Sequence, residues 1–433
     1  MSAFRVPHER QKPGQTRRQP TRPVAPRRGG DGPLILGLAC LLFSIYLFTF
    51  SGRYHSSDEM SMLVATDSLA RRGAWDTDLL RWMGEQQGSF GPDGHLYSRK
   101  GIGTTLAALP LYWLALRFQG LGNVQAAMLT NGLLTSLTAA LVLVLARRLG
   151  YGCGPSLLAG LGYGLATMAW PYARTLFSEP LAGLGLMACA YYLVRYRDVS
   201  RGGRETPPAA QDGRAGGLAR LRSRLPGGGS LLLAGSGLAL ALLARLNNAI
   251  VAPFFGLLLL AYLARGYGWR RGGYAAWLQA MALFALPVVA ALALTAWYNW
   301  LRFGSPLVTG YLPEENFSTP FFEGFYGLLL SPGKGLVWYN PLLLGAIAAW
   351  PALYRRGRAE ALLFLAVVLA NVAFYAPWYL WWAGHGWGPR FLVAVLPFAA
   401  LALAPAFEAA RRHRAVAAAL VLLAVLSLVA QVA

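Results

Sequence analysis

The chain is poor in charged residues, and above all in acidic ones. Only 13% of its 433 residues are Asp, Glu, Lys or Arg, whereas 56% are hydrophobic. Because soluble globular proteins carry about 25% charged residues, this composition excludes an ordinary soluble domain and is typical of a polytopic membrane protein. The 39 basic residues outnumber the 18 acidic ones. In a membrane protein such an excess sets topology, so we do not expect a nucleic-acid partner.

Cysteine is scarce as well. Cys40, Cys153 and Cys189 are the three cysteines of the chain, and they lie in or beside apolar runs. Their spacing matches neither a disulfide framework nor a set of metal ligands. We interpret them as small apolar side chains of the packed interior.

The sequence also lacks a glycine-rich segment that could bind a nucleotide between a strand and a helix. The stretch DTD, residues 76–78, is similar to a metal motif of nucleotide-sugar enzymes, but no such segment is near it. We therefore interpret its aspartates as turn and cap residues. The sequence shows neither an internal repeat nor a soluble domain.

Long apolar runs are the main feature that is present. A helix that crosses a bilayer needs about 20 apolar residues. The candidate spans are approximately residues 33–50, 123–146, 155–172, 180–195, 230–247, 249–264, 275–298, 336–354, 360–377, 391–409 and 415–432. A further run, 104–118, is shorter and contains Pro110, so it either crosses the membrane or lies along its surface.

Positive charge distinguishes these two topologies. If 104–118 does not cross, the N-terminal tail and the later arginine clusters lie on one side, as the positive-inside rule requires. If it does cross, most of the later clusters face outward. We therefore predict an all-α membrane protein of about 11 transmembrane helices, with a cytoplasmic N-terminus and an interfacial or re-entrant helix at 104–118.

The polar residues divide the chain further. Residues 1–32 are predicted to form a disordered basic cytoplasmic tail, and 33–433 the transmembrane domain. Within this domain, 195–229 is a basic, Gly- and Pro-rich linker on the inner side. Two long outer loops, 51–122 and 299–335, hold most of the polar residues. We expect the first outer loop to carry amphipathic interfacial helices.

Two adjacent acids, Asp58 and Glu59, follow the first span in the stretch SGRYHSSDEMSMLVATDSLARRG, residues 51–73. The apolar residues after them lie on one side of a helix, which predicts an amphipathic helix that ends at Gly73. Ser56 and Glu59 fit a capping box, which would explain Glu59 but not Asp58. Because neighbours on a helix point about 100° apart, the two acids cannot share one role. We name both as candidate catalytic residues, with local structure as the alternative.

Two basic residues are candidates for binding a phosphate. Lys100, in the stretch YSRKG, could hold a phosphate as a point charge or could anchor the loop at the membrane surface. Gly101 and Gly103 would let the backbone approach a ligand closely. Arg245 lies at membrane depth, where an ionisable group usually faces a cavity or a partner unless it snorkels to the surface.

Four further candidates for substrate binding lie in outer segments. Glu179 is the one acid of its loop, although an acid before Pro180 also suits the first turn of a helix. Lys334 lies in SPGKGLVWYNP, and His385 and Arg390 lie in WYLWWAGHGWGPRF. Their aromatic neighbours could stack on sugar rings or form the aromatic belt of the membrane surface. The guanidinium of Arg390 is suited to phosphate oxygens.

Carboxylates and imidazoles of the outer segments could also hold Mn²⁺, Mg²⁺ or Zn²⁺. The candidates are His55, Asp58, Glu59, His95 and Glu179. Their spacing is not typical of a metal site. We therefore assign no metal ligand and leave a divalent cation open.

Taken in order, these stretches resemble the GT-C integral-membrane glycosyltransferases, in particular the bacterial relatives of protein O-mannosyltransferases and of aminoarabinose–lipid A transferases. The acids Asp58 and Glu59 match the superfamily's acidic pair just after the first span. YSRKG is similar to its Tyr-x-x-Lys-Pro motif, with Lys100 at the lysine and Gly101 in place of the proline. Glu179 falls where the family has a second acid.

This resemblance, which covers roughly residues 33–400, implies transfer of a sugar from a polyprenyl-phosphate sugar, with inversion, at the outer face of a bacterial inner (plasma) membrane. The acceptor would be a glycan, a lipid or a protein. Asp58 would assist the attacking hydroxyl, and Lys100, Arg245 and Arg390 would stabilise the leaving phosphate. Two alternatives stay open: a transporter or flippase for a lipid-linked glycan, and a polymerase or ligase that uses lipid-diphosphate donors.

Overall fold

The computed structural model describes residues 31–86, 88–118, 120–205, 227–267 and 273–432. Within these ranges, the α-helices are α1 (Gly32–Phe48), α2 (Ser57–Arg72), α3 (Ile102–Arg117), α4 (Asn123–Arg148), α5 (Cys153–Leu165), α6 (Ala169–Ala173), α7 (Glu179–Glu205), α8 (Gly228–Ala244), α9 (Ala252–Tyr267), α10 (Tyr274–Phe303), α11 (Phe321–Leu329), α12 (Leu336–Tyr339), α13 (Leu343–Arg356), α14 (Arg358–Tyr375), α15 (Leu396–Ala400), α16 (Leu403–Ala410) and α17 (Arg414–Val432). The predicted all-α, polytopic architecture is confirmed.

Short 3₁₀ segments and one hairpin complete the structure. The 3₁₀ segments are Asp78–Gln86, Leu246–Val251 and Arg390–Val395. Strands β1 (Gly88–Phe90) and β2 (Leu96–Ser98) pair antiparallel in the first outer loop. The hairpin is the one departure from an all-helical fold within the described residues, and it leads directly to Lys100.

Among the residues that the structure describes, five helices are long and apolar enough to cross a membrane. They are Asn123–Arg148, Leu246–Gly266, Tyr274–Phe303, Arg358–Tyr375 and Arg414–Val432. A sixth candidate is a pair of helical segments within 390–410 that is bent by 47°. The other predicted spans also lie on helical segments, but α1 and α8 are shorter, at 17 residues each. The number of crossings therefore stays a prediction.

Besides the bent span 391–409, two predicted spans are broken, at places that apolar periodicity cannot reveal. The span 155–172 divides into α5 and α6, and 336–354 divides into α12 and α13. The two breaks contact each other, because Oδ1 of Asn340 accepts a hydrogen bond of 2.8 Å from the backbone N–H of Met168. The buried amide thus satisfies a backbone group that an unbroken helix would have paired internally.

The core of the bundle is built around α7, which packs against α4 and α8. Glycines allow the closest approach: a Cβ on Gly185 of α7 would lie 2.6 Å from the carbonyl oxygen of Gly237 on α8. Small residues at such contacts are typical of helices packed within a membrane. Cys189 is buried in this core, but Cys40 and Cys153 are exposed, so their interpretation as interior residues is wrong. Both lie on apolar helices, whose outer faces remain uncovered.

Helices α2 and α3 pack side by side, and α3 also packs against α4. Helix α2 ends at Gly73, which has a φ of 66°, as the sequence predicts. The hydroxyl of Tyr112 on α3 donates to Asp67 on α2, and Trp113 donates to the carbonyl of Ala70 at 3.3 Å. The position of residues 104–118 relative to the membrane stays a prediction.

The predicted non-helical segments are only partly described. The basic tail 1–32 lies outside the described residues, except for its last two positions. Helix α7 continues to Glu205 and α8 begins at Gly228, so helices extend into both ends of the predicted linker 195–229. The rest of that linker lies outside the described residues. In the second outer loop, 299–335, α11 provides further helical structure.

Candidate functional site

Asp58 is the centre of the candidate site. It lies in the first turn of α2, where the hydroxyl of Ser56 accepts a 3.0 Å hydrogen bond from the N–H of Asp58 and so caps the helix. Its Oδ1 lies 2.7 Å from Nζ of Lys100, and its Oδ2 lies 2.7 Å from Nη2 of Arg390. The side chain of Asp58 is only 11% exposed. The fold therefore brings together three predicted site residues from distant parts of the sequence.

A second acid extends this cluster. Oε1 of Glu179, the first residue of α7, forms a salt bridge with Nη1 of Arg245 and lies 3.6 Å from Nε of Arg390. The guanidinium of Arg245 also lies 5.0 Å from the ring centroid of Phe391. Oε2 of Glu179 and Nε of Arg390 are buried without a hydrogen-bond partner. Because such groups are costly to leave unpaired, this part of the cluster is a candidate for contact with a bound molecule.

The two cations determine the charge state of Asp58. Burial by itself raises the pKa of this carboxyl, but the positive charges of Lys100 and Arg390 outweigh burial and hold its pKa below the usual range. Asp58 is therefore ionised at neutral pH. While both cations remain bound to it, the carboxylate is a weak base.

Glu59 occupies a different environment from Asp58. Its side chain is fully buried, Oε2 accepts a 2.8 Å hydrogen bond from the N–H of His55, and Oε1 accepts a 3.0 Å hydrogen bond from the N–H of Leu176. Burial raises its pKa, and the two backbone N–H groups partly offset that shift. Glu59 therefore joins α2 to the loop before α7. This contact replaces the predicted capping-box bond to the N–H of Ser56.

Gly101 and Gly103 serve helix packing. A Cβ on Gly101 would lie 2.4 Å from the carbonyl oxygen of Leu243, and one on Gly103 would lie 2.7 Å from the backbone nitrogen of Ala244. Both glycines therefore let the start of α3 approach the end of α8, rather than a ligand as the sequence suggested. A proline at position 101, as in the family motif, would not fit here because it carries a Cβ.

Lys334 holds the loop that carries His385. Its Nζ donates to the carbonyl of Gly384 at 2.9 Å and also to the carbonyl of Gly386, and burial lowers its pKa. Ala383, in the same loop, has a φ of 58°, a conformation that a residue with a Cβ rarely adopts. The loop is thus strained and is held by one partly buried cation.

A cavity of about 760 Å³ opens beside Asp58. Of the predicted site residues, those that line it are Asp58, Lys100, Arg245, His385 and Arg390. Glu59, Glu179 and Lys334 lie behind its wall. Aromatic side chains form much of the remaining wall: Tyr172, Phe177, Tyr311, Trp378, Tyr379, Trp387 and Phe391. The cavity therefore combines charged side chains around Asp58 with aromatic rings that could stack on a sugar or on another ligand with an apolar face.

A smaller cavity of about 310 Å³ adjoins the first. Lys100 and Arg245 line both cavities, whereas Asp58 and Arg390 line only the larger one. Apolar side chains of α8 and α14 form part of the smaller cavity's wall, for example Leu242 and Phe374. A phosphate bound at the shared cations would therefore have a polar space on one side and a more apolar one on the other.

Sequence reasoning missed a partly buried ion pair that joins the segments predicted as the two outer loops. Nη1 of Arg99 lies 3.0 Å from Oε2 of Glu315, and Arg99 also donates to the carbonyl of Gly88 at 2.8 Å. Both charged residues line both cavities. The proximity of Arg99 to Lys100 was the one signal available, since Glu315 is far away in the sequence.

The five candidate metal ligands do not come together. Within the described ranges, no group of three His, Cys, Asp or Glu side chains is arranged to hold a metal ion. Nδ1 of His95 lies 2.6 Å from Oδ2 of Asp78, outside the Asp58 cluster. Asp76 and Asp78 act as the sequence predicts, since Oδ1 of Asp76 accepts a 3.2 Å hydrogen bond from the N–H of Asp78 at a turn.

Comparison with known proteins bears on the fold. The chain matches no family model and no curated protein. Its structure is similar to the crystal structure of ArnT from Cupriavidus metallidurans in the apo state, with a TM-score of 0.53 and 17% identity over 87% of this chain and 59% of ArnT. For the same protein bound to undecaprenyl phosphate the TM-score is 0.51, again at 17% identity, over 87% of this chain and 60% of ArnT.

An archaeal structure is similar to the same extent. The apo form of the Archaeoglobus fulgidus oligosaccharyltransferase has a TM-score of 0.52 and 12% identity, over 92% of this chain and 56% of that one. The present chain thus spans less than two thirds of the length of either protein. At these identities the likeness concerns the fold, and this chain has the GT-C-like fold of a polytopic membrane protein.

Proposed function

We propose that this protein is a membrane glycosyltransferase that moves a sugar from a polyprenyl-phosphate sugar to an acceptor. One observation carries the proposal: a buried carboxylate, Asp58, is bound by the phosphate-binding candidates Lys100 and Arg390 at the floor of a cavity of about 760 Å³. The GT-C-like fold supports it, as does the undecaprenyl phosphate bound to ArnT, the protein of similar fold.

The balance of charges at the site suits a phosphate. Two acids, Asp58 and Glu179, face three cations, Lys100, Arg245 and Arg390, in one connected cluster. The cluster thus has one uncompensated positive charge, which a donor phosphodiester would neutralise. The leaving phosphate gains further negative charge as the bond breaks, and preorganised cations stabilise that charge most strongly.

Asp58 is the proposed base. When the donor phosphate draws Lys100 and Arg390 toward itself, the pKa of Asp58 rises and the carboxylate can accept the proton of the acceptor hydroxyl. The acceptor oxygen then bonds to the anomeric carbon while the bond from that carbon to the phosphate oxygen breaks. Attack from the face opposite the phosphate inverts the configuration of the sugar.

The other lining residues suggest how the substrates lie. The aromatic side chains of the larger cavity suit a sugar ring, and the opening of this cavity suits an acceptor glycan, lipid or protein. The apolar side chains of the smaller cavity suit the first units of the polyprenyl chain. Glu59, Glu179 and Lys334 would act through the residues they hold, since they do not line the larger cavity.

A divalent cation at this site would compete with Lys100, Arg245 and Arg390 for the same carboxylates. A second structure of the Archaeoglobus enzyme, with a TM-score of 0.51 at 13% identity over 92% of this chain and 53% of that one, is a complex with zinc and sulfate. Here the acids Asp58 and Glu179 are engaged by basic side chains instead. We infer that these cations neutralise the phosphate, so EDTA should leave transfer within about twofold of the untreated rate.

An assay in detergent tests the function and separates the alternatives. Purified protein should form glycosylated product from a polyprenyl-phosphate sugar, although detergent offers no second compartment. A flippase or transporter would give no product. A polymerase or ligase would use a lipid-diphosphate sugar in preference to the monophosphate, so competition between the two donors identifies it.

The proposed location is the inner (plasma) membrane of a bacterium, with the N-terminus in the cytoplasm and the site outside. Single cysteines at Gly120 and Gly154, where an added Cβ meets no neighbour within 4 Å, test this orientation in a chain otherwise free of cysteine. A membrane-impermeant thiol reagent should label position 120 but not position 154. Labelling of position 154 in intact cells would reverse the topology.

A further inference from the structure

Arg302, near the C-terminal end of α10, is a buried cation to which the proposed mechanism assigns no role. Its residue surface is only 2% exposed. No acidic side chain among the residues that the structure describes forms a salt bridge with it. Because burying an unpaired charge is expensive, a residue that served only to fill space there would be apolar. The contacts of Arg302 should therefore show what it does.

The guanidinium of Arg302 is directed at the turn that presents Lys100. Nη1 donates to the carbonyl of Ser98 and, at 3.4 Å, to the carbonyl of Lys100 itself. On the α10 side, Nη2 donates to Oδ1 of Asn299 at 2.7 Å, and Nε donates to the carbonyl of Tyr298 at 3.2 Å. One side chain thus connects the end of a long helix to both sides of a three-residue turn.

Two further contacts hold the guanidinium and the turn in place. The carbon at the centre of the Arg302 guanidinium lies 3.7 Å from the centroid of the Tyr298 ring, a cation–π contact. Within the turn, Arg99 donates to the carbonyl of Gly88 and pairs with Glu315. The turn is therefore held by two buried arginines with different partners, Arg302 of α10 and its own Arg99.

We propose that Arg302 is a positioning residue, which fixes the backbone of Lys100 so that the ammonium group meets the donor phosphate. Lysine is a flexible point charge, and its binding strength depends on how well its backbone is fixed. Charge-assisted hydrogen bonds to two carbonyls supply that constraint without placing another group on the phosphate. This inference rests on the proposed function, because it assigns the phosphate to Lys100.

The test compares four purified proteins: the wild type, Arg302→Gln, Arg302→Lys and Lys100→Ala. Arg302→Gln should raise the donor KM about tenfold and leave the acceptor KM unchanged. Arg302→Lys, which keeps the charge and can reach one carbonyl, should restore part of the loss. In the Lys100→Ala background, Arg302→Gln should add less than about twofold, since its effect passes through Lys100. Full additivity of the two effects would overturn the proposal.

Hydrogen exchange gives a readout that does not depend on catalysis. Amides of residues 96–101 should exchange faster in Arg302→Gln than in the wild type. The matched control is Arg147→Gln, because Arg147 also donates to a backbone carbonyl near a helix end, that of Tyr151, at 3.0 Å. This control should leave residues 96–101 unchanged. Unaltered exchange there in Arg302→Gln refutes the positioning role, whereas a lack of transfer by the wild type with every donor refutes only the proposed function.

Discussion

Two clusters of arginine and acid lie near opposite ends of α7, and they differ in charge balance and in the space beside them. At the first residue of the helix, Glu179 belongs to the Asp58 cluster, which lies beside the cavity of about 760 Å³. About 27 Å further along α7, at 1.5 Å per residue, Arg197 bonds to Glu360, which also accepts a 2.6 Å hydrogen bond from the hydroxyl of Tyr262. The cavity beside this second cluster holds only about 50 Å³.

The same residue types therefore serve different purposes at the two ends. The Arg197 cluster is balanced in charge, because Arg197 also bonds to Asp198 at 2.8 Å and Arg148 lies 3.1 Å from Asp198. Such a charge-balanced network fixes the packing of helices. The Asp58 cluster combines an excess of cations with open space, and this combination is typical of a binding site. The comparison predicts that substitutions in the Asp58 cluster lower activity, whereas substitutions in the Arg197 cluster lower stability.

The largest effect is expected from Asp58→Asn. Loss of a positioned base should lower kcat by about 10²–10⁴-fold, while the protein still inserts and elutes as a single species. The neighbouring Glu59→Gln is the matched comparison, since its amide can still accept from one of the two backbone N–H groups. It should lower kcat far less than Asp58→Asn. Equal loss in the two variants would mean that Asp58 acts through the structure of α2.

The next effect is expected from Lys100→Ala. Removing one charge-assisted bond to the donor phosphate should raise the donor KM by about 10–100-fold. Initial rates measured over a range of donor concentrations check this value. Arg147→Ala, at the other end of the bundle, is the control and should retain the wild-type donor KM. A Lys100→Ala protein with unchanged donor KM would remove Lys100 from the phosphate site.

The acid side of the pH profile should move in the same variant. In the wild type, Lys100 and Arg390 hold the pKa of Asp58 below its usual value near 3.9, so Asp58 stays ionised across the pH range of the transfer assay. With Lys100 removed, the pKa of Asp58 rises, and kcat/KM should begin to fall at a higher pH. The stabilisation that Asp58 gains from its partners is present above about pH 4 and is lost as the pH falls through the lowered pKa.

Gly101→Ala should have a moderate effect that depends on backbone contact alone. A Cβ there would lie 2.4 Å from the carbonyl oxygen of Leu243, so the start of α3 must shift away from α8. The donor KM should rise by several-fold, because Lys100 moves with that backbone. Gly94→Ala, in the hairpin turn, meets no neighbour within 4 Å but has a φ of 78°, so it controls for strain without a clash. The donor KM, measured for both variants, separates the effect of the clash from the effect of backbone strain.

Glu360→Gln should have the smallest effect on activity and a clear effect on stability. It weakens the bonds to Arg197 and Tyr262 in a side chain that is only 5% exposed, and should lower the free energy of unfolding by about 1–3 kcal/mol. Thermal unfolding in detergent measures the loss. The donor KM should remain within about twofold of the wild type. A large rise in donor KM would show that the two ends of α7 are coupled.

Much of the candidate site could be predicted from the sequence, because its residues lie next to long apolar runs. Asp58, Lys100, Arg245 and Arg390 could each be named from a charge placed beside or within a predicted span, and all four line one cavity. The helical break at Asn340 could not be predicted from the sequence, because the residues on both sides of it are similarly apolar. Pairwise contacts over long sequence separations, such as that between Arg99 and Glu315, have no local signal.

The roles of several predicted residues also needed three dimensions. Glu59 and Lys334 carry charges in outer segments, as a ligand-binding residue would, yet both are occupied by backbone groups of the protein. Gly101 and Gly103 have the spacing of a ligand-approaching turn, but α8 occupies the space beside them. A single sequence gives residue type and order, whereas these roles depend on which groups contact the residue in the folded protein.

Mass spectrometry of the lipids that copurify with the protein tests the central claim most directly. Wild-type protein should carry a polyprenyl-phosphate species, bound through Lys100 and Arg245, the cations shared by the two cavities. A double variant, Lys100→Ala with Arg245→Ala, should lose that species. If the wild type carries no polyprenyl phosphate, or if the double variant carries as much as the wild type, the cavity beside Asp58 is not a donor site.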